Sequence, residues 1–194
     1  MAYVTQSDMT EYLRSTVVAD DADIEAAILA AEATINEYCR RTFAVPTTAT
    51  TRTFVPDDYC VQTVPDIANV TDLVIVDNTV TVTAAEYQME VSPGVTSQVG
   101  YTGRTWPYTC IRRLTGSWHI DYNGNDTLSI TARWGWAAVP PEVSLATKLL
   151  ARDFLLARDT SFGIVQMGDF SRRIAGNSVV ETLLDSLRRP EAYV

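Results

Sequence analysis

The chain has 194 residues, 46% of them hydrophobic, and a formal net charge of −9. That length and apolar content suit one domain with a packed core, or a domain carrying a large insertion, and they exclude global disorder. The acidic balance argues against a protein built to grip nucleic acid, because phosphate neutralisation dominates that affinity.

The first helix is announced by Thr5-Gln6-Ser7-Asp8, a capping box with Thr5 as N-cap and Asp8 reaching back. Met9, Tyr12 and Leu13 give it one apolar face, and Arg14 lies at its C-terminal end, where the helix dipole favours a cation. A second, longer helix is expected from about Asp21 to Arg41, capped by Asp20 and Asp21. Ile24, Ile28, Ala31, Ile35, Tyr38 and Thr42 form one stripe at alternating spacings of four and three. Alanines at 22, 26, 27, 30, 31 and 33 let neighbouring elements pack closely against it.

Near Pro46 the composition turns to Thr and Val punctuated by Pro, Asn, Asp and Gly, which predicts strands and turns as far as Trp136. Eight strands are expected: Thr51–Val55, Cys60–Val64, Asp72–Val76, Thr79–Thr83, Tyr87–Val91, Cys110–Leu114, Gly116–Tyr122 and Thr127–Trp134. Asp77-Asn78 and Asn123-Gly124 are the turn signals, Asn-Gly the stronger, and Ser92 to Pro107 reads as an irregular loop. Helix returns at Pro140-Pro141, with Pro141 suited to the first helical position, and continues through Val143, Ala146, Leu149, Leu150, Phe154 and Ala157 to about Arg158. A glycine-containing flexible linker, 159–177, precedes a last helix. That helix has a capping box at Ser178-Val179-Val180-Glu181 and an apolar face of Leu183, Leu184 and Leu187, and Pro190 stops it. The fold class is therefore α+β: a small core of about four helices with a large β-rich insertion between the second and third. The expected divisions are 1–45, 46–138 and 139–194.

Little in the chain points to catalysis. The single histidine, His119, sits in an expected strand with no cluster of metal ligands around it, and no GxSxG nucleophile elbow occurs. Cys39, Cys60 and Cys110 are widely spaced and odd in number, which suits reduced, partly buried thiols better than a disulfide framework or a zinc site. Asp121-Tyr122-Asn123-Gly124-Asn125-Asp126 resembles the start of a calcium loop, but its glycine is misplaced and the closing glutamate is missing, so a hairpin accounts for it more simply. Gly100-Tyr101-Thr102-Gly103 lacks the Lys-Ser/Thr of a phosphate loop. Trp106, Trp118, Trp134 and Trp136 fit core positions better than a base-stacking or sugar-binding face. No catalytic residue, metal or cofactor is assigned. No apolar run approaches the roughly 20 residues of a bilayer span, and Met1-Ala2-Tyr3-Val4-Thr5 does not read as a secretory signal.

The linker is unusual in its apolar content. Phe162, Ile164, Val165, Met167 and Phe170 lie among Gly163, Gly168 and Gly176, beside Arg172 and Arg173. These residues, with Arg188, Arg189 and Tyr193, form the candidate partner interface; for the linker, the alternative is a loop folded back on its own core.

Several motifs, in order, carry a family resemblance. The opening Val4-Thr5-x-x-Asp8-x-x-x-Tyr12-Leu13-Arg14 leads to an Asp-rich cap and an Ala-rich helix ending Tyr38-Cys39-Arg40-Arg41-Thr42-Phe43. Later come Ala132-Arg133-Trp134-Gly135-Trp136, then Pro140-Pro141-Glu142-Val143 and a helix ending Leu156-Ala157-Arg158. Together they resemble the head–tail connector (adaptor) family of tailed bacteriophages, with a β insertion longer than in its smallest members. The resemblance implies a structural virion protein, located at the head–tail junction and assembled in the host cytoplasm. It implies a ring of copies beneath the portal protein, contact with the next neck or tail protein, and a channel through which double-stranded DNA passes without specific binding. The alternatives are another neck or tail-completion ring protein, and a carbohydrate-binding or hydrolytic β module.

Overall fold

The computed structural model describes residues 2–14, 19–56, 58–100, 103–158 and 178–189. Among the described residues, four helices and two antiparallel sheets make an α+β fold. The chain divides into two compact units, Met1–Ala44 with Val139–Val194, and Val45–Ala138.

The first unit is helical. Helix α1 (Gln6–Leu13) starts at the expected capping box: the Thr5 hydroxyl accepts the Asp8 N–H at 3.1 Å, and the Thr5 N–H donates to the Asp8 carboxylate at 3.2 Å. Met9 and Leu13, one turn apart, are its buried residues. Helix α2 (Asp21–Cys39) has Asp20 at its N-cap position, although the side chain makes no capping bond there. It ends two residues before the expected Arg41, because Arg40 takes the left-handed conformation at φ 53° and its N–H donates to the Asn36 carbonyl. The chain turns away at that point, so Thr42 is exposed and Phe43 enters the core instead.

Helix α3 (Pro141–Arg158) is the main partner of α2. Pro141 occupies its first position, where a missing N–H costs nothing, and the Val143 and Ser144 N–H groups both reach the Pro140 carbonyl. Ile28, Ala31 and Ile35 of α2 and Val143, Ala146, Leu150 and Ala151 of α3 are all buried. Two buried hydroxyls are satisfied within their own helices, Thr34 on the Ala30 carbonyl and Thr147 on the Val143 carbonyl, each at 2.8 Å. Helix α4 (Ser178–Asp185) lies against α3 and α2 and buries Val180 and Leu184, with Leu187 buried in the turn just after it, while Leu183 is only half-buried. The capping partners of its first turn lie outside the described side chains.

The second unit is built from seven strands: β1 (Thr50–Phe54), β2 (Val61–Ile67), β3 (Val74–Asp77), β4 (Val80–Val82), β5 (Tyr87–Glu90), β6 (Tyr108–Arg113) and β7 (Leu128–Ala132). One sheet has the order β1-β7-β3-β4 and the other β2-β6-β5, with every pairing antiparallel. Along β7, Leu128, Ile130 and Ala132 are buried while Ser129 and Thr131 are half-buried, the period-two signature of a sheet facing a core. These residues join Val64, Ile67, Ile75, Val82, Met89, Ile111, Trp118 and Trp134 in a single apolar cluster. An isolated bridge, Ile67 with Trp134, links the two sheets, and the Ala68 N–H donates to the Arg133 carbonyl at 2.9 Å beside it.

Two sequence expectations fail here. The segment Gly116–Tyr122 is not a strand, and Asn123-Gly124 does not close a hairpin. Trp118 drops into the core instead, its backbone N–H donating to the Tyr59 carbonyl, and the backbone N–H of His119 donates to the Asp77 carboxylate at 3.2 Å. The Asp121 carboxylate then accepts the Asn123 N–H and the Asn125 side chain, a local network that competes with ladder pairing. The tight hairpin lies elsewhere, between β3 and β4, where Asn78 and Thr79 both have positive φ (42° and 73°), as a two-residue type I′ turn requires.

Candidate assembly surfaces

Most of the sequence-predicted interface (Phe162, Ile164, Val165, Met167, Phe170, Arg172, Arg173 and Tyr193) lies outside the described residues. Arg188 and Arg189 are described, and both serve the helical unit. The Arg188 guanidinium stands over the Tyr38 ring at 5.4 Å, and the Arg189 N–H donates to the Cys39 carbonyl at 2.9 Å. The Tyr38 hydroxyl donates to the Asp185 carboxylate at 2.6 Å; partial burial and that carboxylate push the phenol up to about 12.

The groups with potential for chemistry are dispersed. His119 is exposed on an irregular segment rather than in a strand. Cys39 and Cys110 are buried, and burial pushes the Cys39 thiol up to about 12; Cys60 is exposed rather than partly buried. Among the described residues no three metal-ligating side chains converge. The Asp121 carboxyl is held below its usual range by the Asn123 N–H and the Asn125 side chain, so its oxygens are engaged within the loop. Trp118, Trp134 and Trp136 are buried, and Trp106 is half-buried with its ring 5.6 Å from that of Trp136. The Trp136 N–H donates to the Asp66 carboxylate at 2.9 Å. The tryptophans are thus framework of the β unit. Its one fully buried glutamate, Glu90, is also structural: the Arg112 side chain donates to it at 2.6 and 3.1 Å, and Gln88 and the Gly94 N–H complete its shell.

The surface of the helical unit is more telling. On α2 only Ala27 and Ala31 of the six alanines are buried; Ala22, Ala26, Ala30 and Ala33 are exposed, as is Leu29 at 58%. Ala22, Ala26, Leu29 and Ala33 follow spacings of four, three and four, so they line one outer face of the helix, with acidic Asp21, Glu25 and Glu37 exposed around it. On α3, Leu145 (42% exposed), Leu149, Arg152 and Leu156 (38%) repeat the same spacing on its outer face. Beside that face is an open groove of about 580 Å³ between α1 and α3, lined by Asp8, Glu11, Tyr12, Arg14, Lys148 and Arg152. Both long helices therefore carry an apolar stripe toward solvent in addition to the one in the core. The sequence contained the signal, since the spacings are regular, but periodicity does not tell which stripe faces inward.

In the β unit, edge strand β1 is exposed over four of its five residues, and the Arg52 guanidinium lies 4.6 Å from the centre of the Trp134 ring. A charge on an edge strand discourages sheet extension. No described helix is long and apolar enough to cross a membrane.

No family model and no curated protein sequence matches the chain. Among the solved structures that share its fold are three that each match over 97% of the chain at 19% identity. One is a chain from the neck of an empty GTA particle computed with C6 symmetry, with TM-score 0.60 and 91% of that chain covered. Another comes from the neck of a native GTA particle computed with C12 symmetry, with TM-score 0.54 and 94% covered. The third comes from the virion of a native gene transfer agent (GTA) particle, with TM-score 0.55 and 91% covered.

Proposed function

We propose that this chain is a structural, non-enzymatic subunit of a virion neck: a head–tail connector that forms a ring below the portal protein and joins a DNA-filled head to its tail. The observation that carries this reading is the fold, shared along nearly the whole chain with chains from the neck of gene transfer agent particles. The rotational symmetry of those necks supports a ring of identical subunits. The outward apolar stripes of α2 and α3 support it too, because a helix apolar on both faces is suited to burial on both. The net charge of −9 suits a channel wall past which DNA slides, since like charge shortens residence on phosphate. The apolar residues of 162–170 with Arg172 and Arg173 are proposed to face the portal or the next neck protein.

The carbohydrate-binding reading loses its main support with three of the four tryptophans buried and the fourth packed beside Trp136. A tail-completion ring protein stays closest to the proposed role, and it differs in which neighbour it touches. Depleting the chain during particle production tests the role. The expected result is DNA-filled heads and separate finished tails, rejoined when the chain is resupplied; normal tailed particles in its absence would overturn the proposal.

A further inference from the structure

We propose that the ring joint is a helix-on-helix contact in which the α2 outer face of one copy receives the α3 outer face of the next. This deepens the neck-subunit reading and rests on it. The two stripes match in length and rhythm. Ala22-Ala26-Leu29-Ala33 and Leu145-Leu149-Arg152-Leu156 each span twelve residues, eleven steps, with the same spacings of four, three and four. At 1.5 Å per residue, each runs roughly 17 Å along its axis.

They also match in shape. The α2 face is mostly alanine, so it forms a shallow trough along which another helix can approach closely. The α3 face is mostly leucine, a ridge of the kind that fills such a trough. Pairing α2 with α2 would set trough against trough, and pairing α3 with α3 would set ridge against ridge.

Charge selects the same arrangement. Asp21, Glu25 and Glu37 are exposed around the α2 stripe, whereas Arg152 stands within the α3 stripe and Lys148 and Arg14 line the groove beside it. Glu142 and Asp153 flank the far side of the α3 stripe, and Asp8 and Glu11 form the opposite wall of the groove, so the cationic strip is narrow and lies along Lys148 and Arg152. Among the described residues neither Lys148 nor Arg152 forms an ion pair. A self-paired α3 face would bring the Lys148–Arg152 strips of two copies toward each other, and a self-paired α2 face would do the same with carboxylates. The α2-to-α3 joint removes both conflicts. It uses two different patches of one molecule, the heterologous kind of contact that a ring requires and that closes when the rotation per subunit divides a full turn.

The test uses the full chain, alone and with portal protein, and two surface variants, Leu29→Asp and Leu156→Asp. Both positions are exposed, so thermal melts should match the parent. Each variant alone should fail to self-associate, by sedimentation or by ring formation on portal, where the parent succeeds. An equimolar mixture should yield heterodimers and nothing larger, because each pair retains one intact joint. A variant that still dimerises alone, or a mixture that stays monomeric, would overturn the α2-to-α3 pairing. Full rings from both variants would place the joint elsewhere and leave the neck role standing. A parent chain that neither self-associates nor binds portal would count against the role itself.

Discussion

The Tyr3 hydroxyl accepts the backbone N–H of Phe43 at 2.9 Å and donates to the Asn36 side chain at 2.6 Å. The two rings meet edge to face, with centroids 6.0 Å apart. This contact fastens the start of the chain to the point where it leaves α2. Tyr3→Phe keeps the ring but strands a buried N–H and an amide oxygen. It should lower stability by about 1–3 kcal/mol, the usual cost of an unsatisfied buried partner. A urea melt with an unchanged midpoint would show that water replaces the hydroxyl.

Ile35 is fully buried on the α2 face that meets α3. Ile35→Ala should cost on the order of 2–5 kcal/mol by leaving a cavity. Leu29→Ala, on the opposite face, should leave the melt of the free subunit within about 0.5 kcal/mol of the parent, as surface changes generally do. Equal losses at both sites would mean that the Leu29 face is already covered in the free chain.

Much of this was legible in the sequence. The α1 capping box, Pro141 at the head of α3 and the inward stripe of Ile24, Ile28, Ala31 and Ile35 are local or strictly periodic signals, and they fixed the helices. The alanine spacing of α2 marked positions for close packing without saying against what: Ala27 and Ala31 are buried in the subunit while Ala22, Ala26, Ala30 and Ala33 are exposed, because periodicity identifies a face without identifying its neighbour. Gly116–Tyr122 was misread as a strand because its apolar residues and Asn-Gly turn resemble a hairpin arm; the side-chain bonds of Asp121 and the burial of Trp118 decide otherwise. The α3 stripe was obscured by Arg152, which interrupts an otherwise leucine-lined face.

The thiols offer a direct check on burial. Cys60 is exposed, whereas Cys39 and Cys110 are buried and the Cys39 thiol is pushed up to about 12. Thiolate is the reactive form. A thiol reagent at neutral pH should therefore modify Cys60 alone in the native chain and all three cysteines after denaturation. Rapid labelling of Cys39 in the native state would contradict the packing of α4 over the end of α2.

Acid should weaken the β unit through Glu90. The hydrogen bonds from Arg112 lower the carboxyl below its ordinary value near 4.5, despite the opposing effect of burial. A group lowered in the folded state stabilises fully above its unfolded value, and that contribution is lost as pH falls through the lowered folded value. The stability gap between the parent and Glu90→Gln should thus be widest at neutral pH and narrow as the pH falls below the ordinary carboxyl value near 4.5 and on through the lowered folded value. A gap independent of pH would mean that Glu90 contributes through shape rather than charge.

A channel subunit that lets DNA pass should not retain it. At ~150 mM salt, where charges more than about 8 Å apart are screened, the purified chain should cause no shift of a duplex in a gel. A salt-sensitive complex of micromolar affinity would point to a DNA-gripping surface.

Electron microscopy of the purified chain mixed with portal protein tests the neck assignment most directly. The expected image is the portal with one added ring-shaped layer at one end, in which each subunit is accommodated as a helical unit and a β unit. Portal particles unchanged beside free single subunits, at protein concentrations well above micromolar, would contradict it.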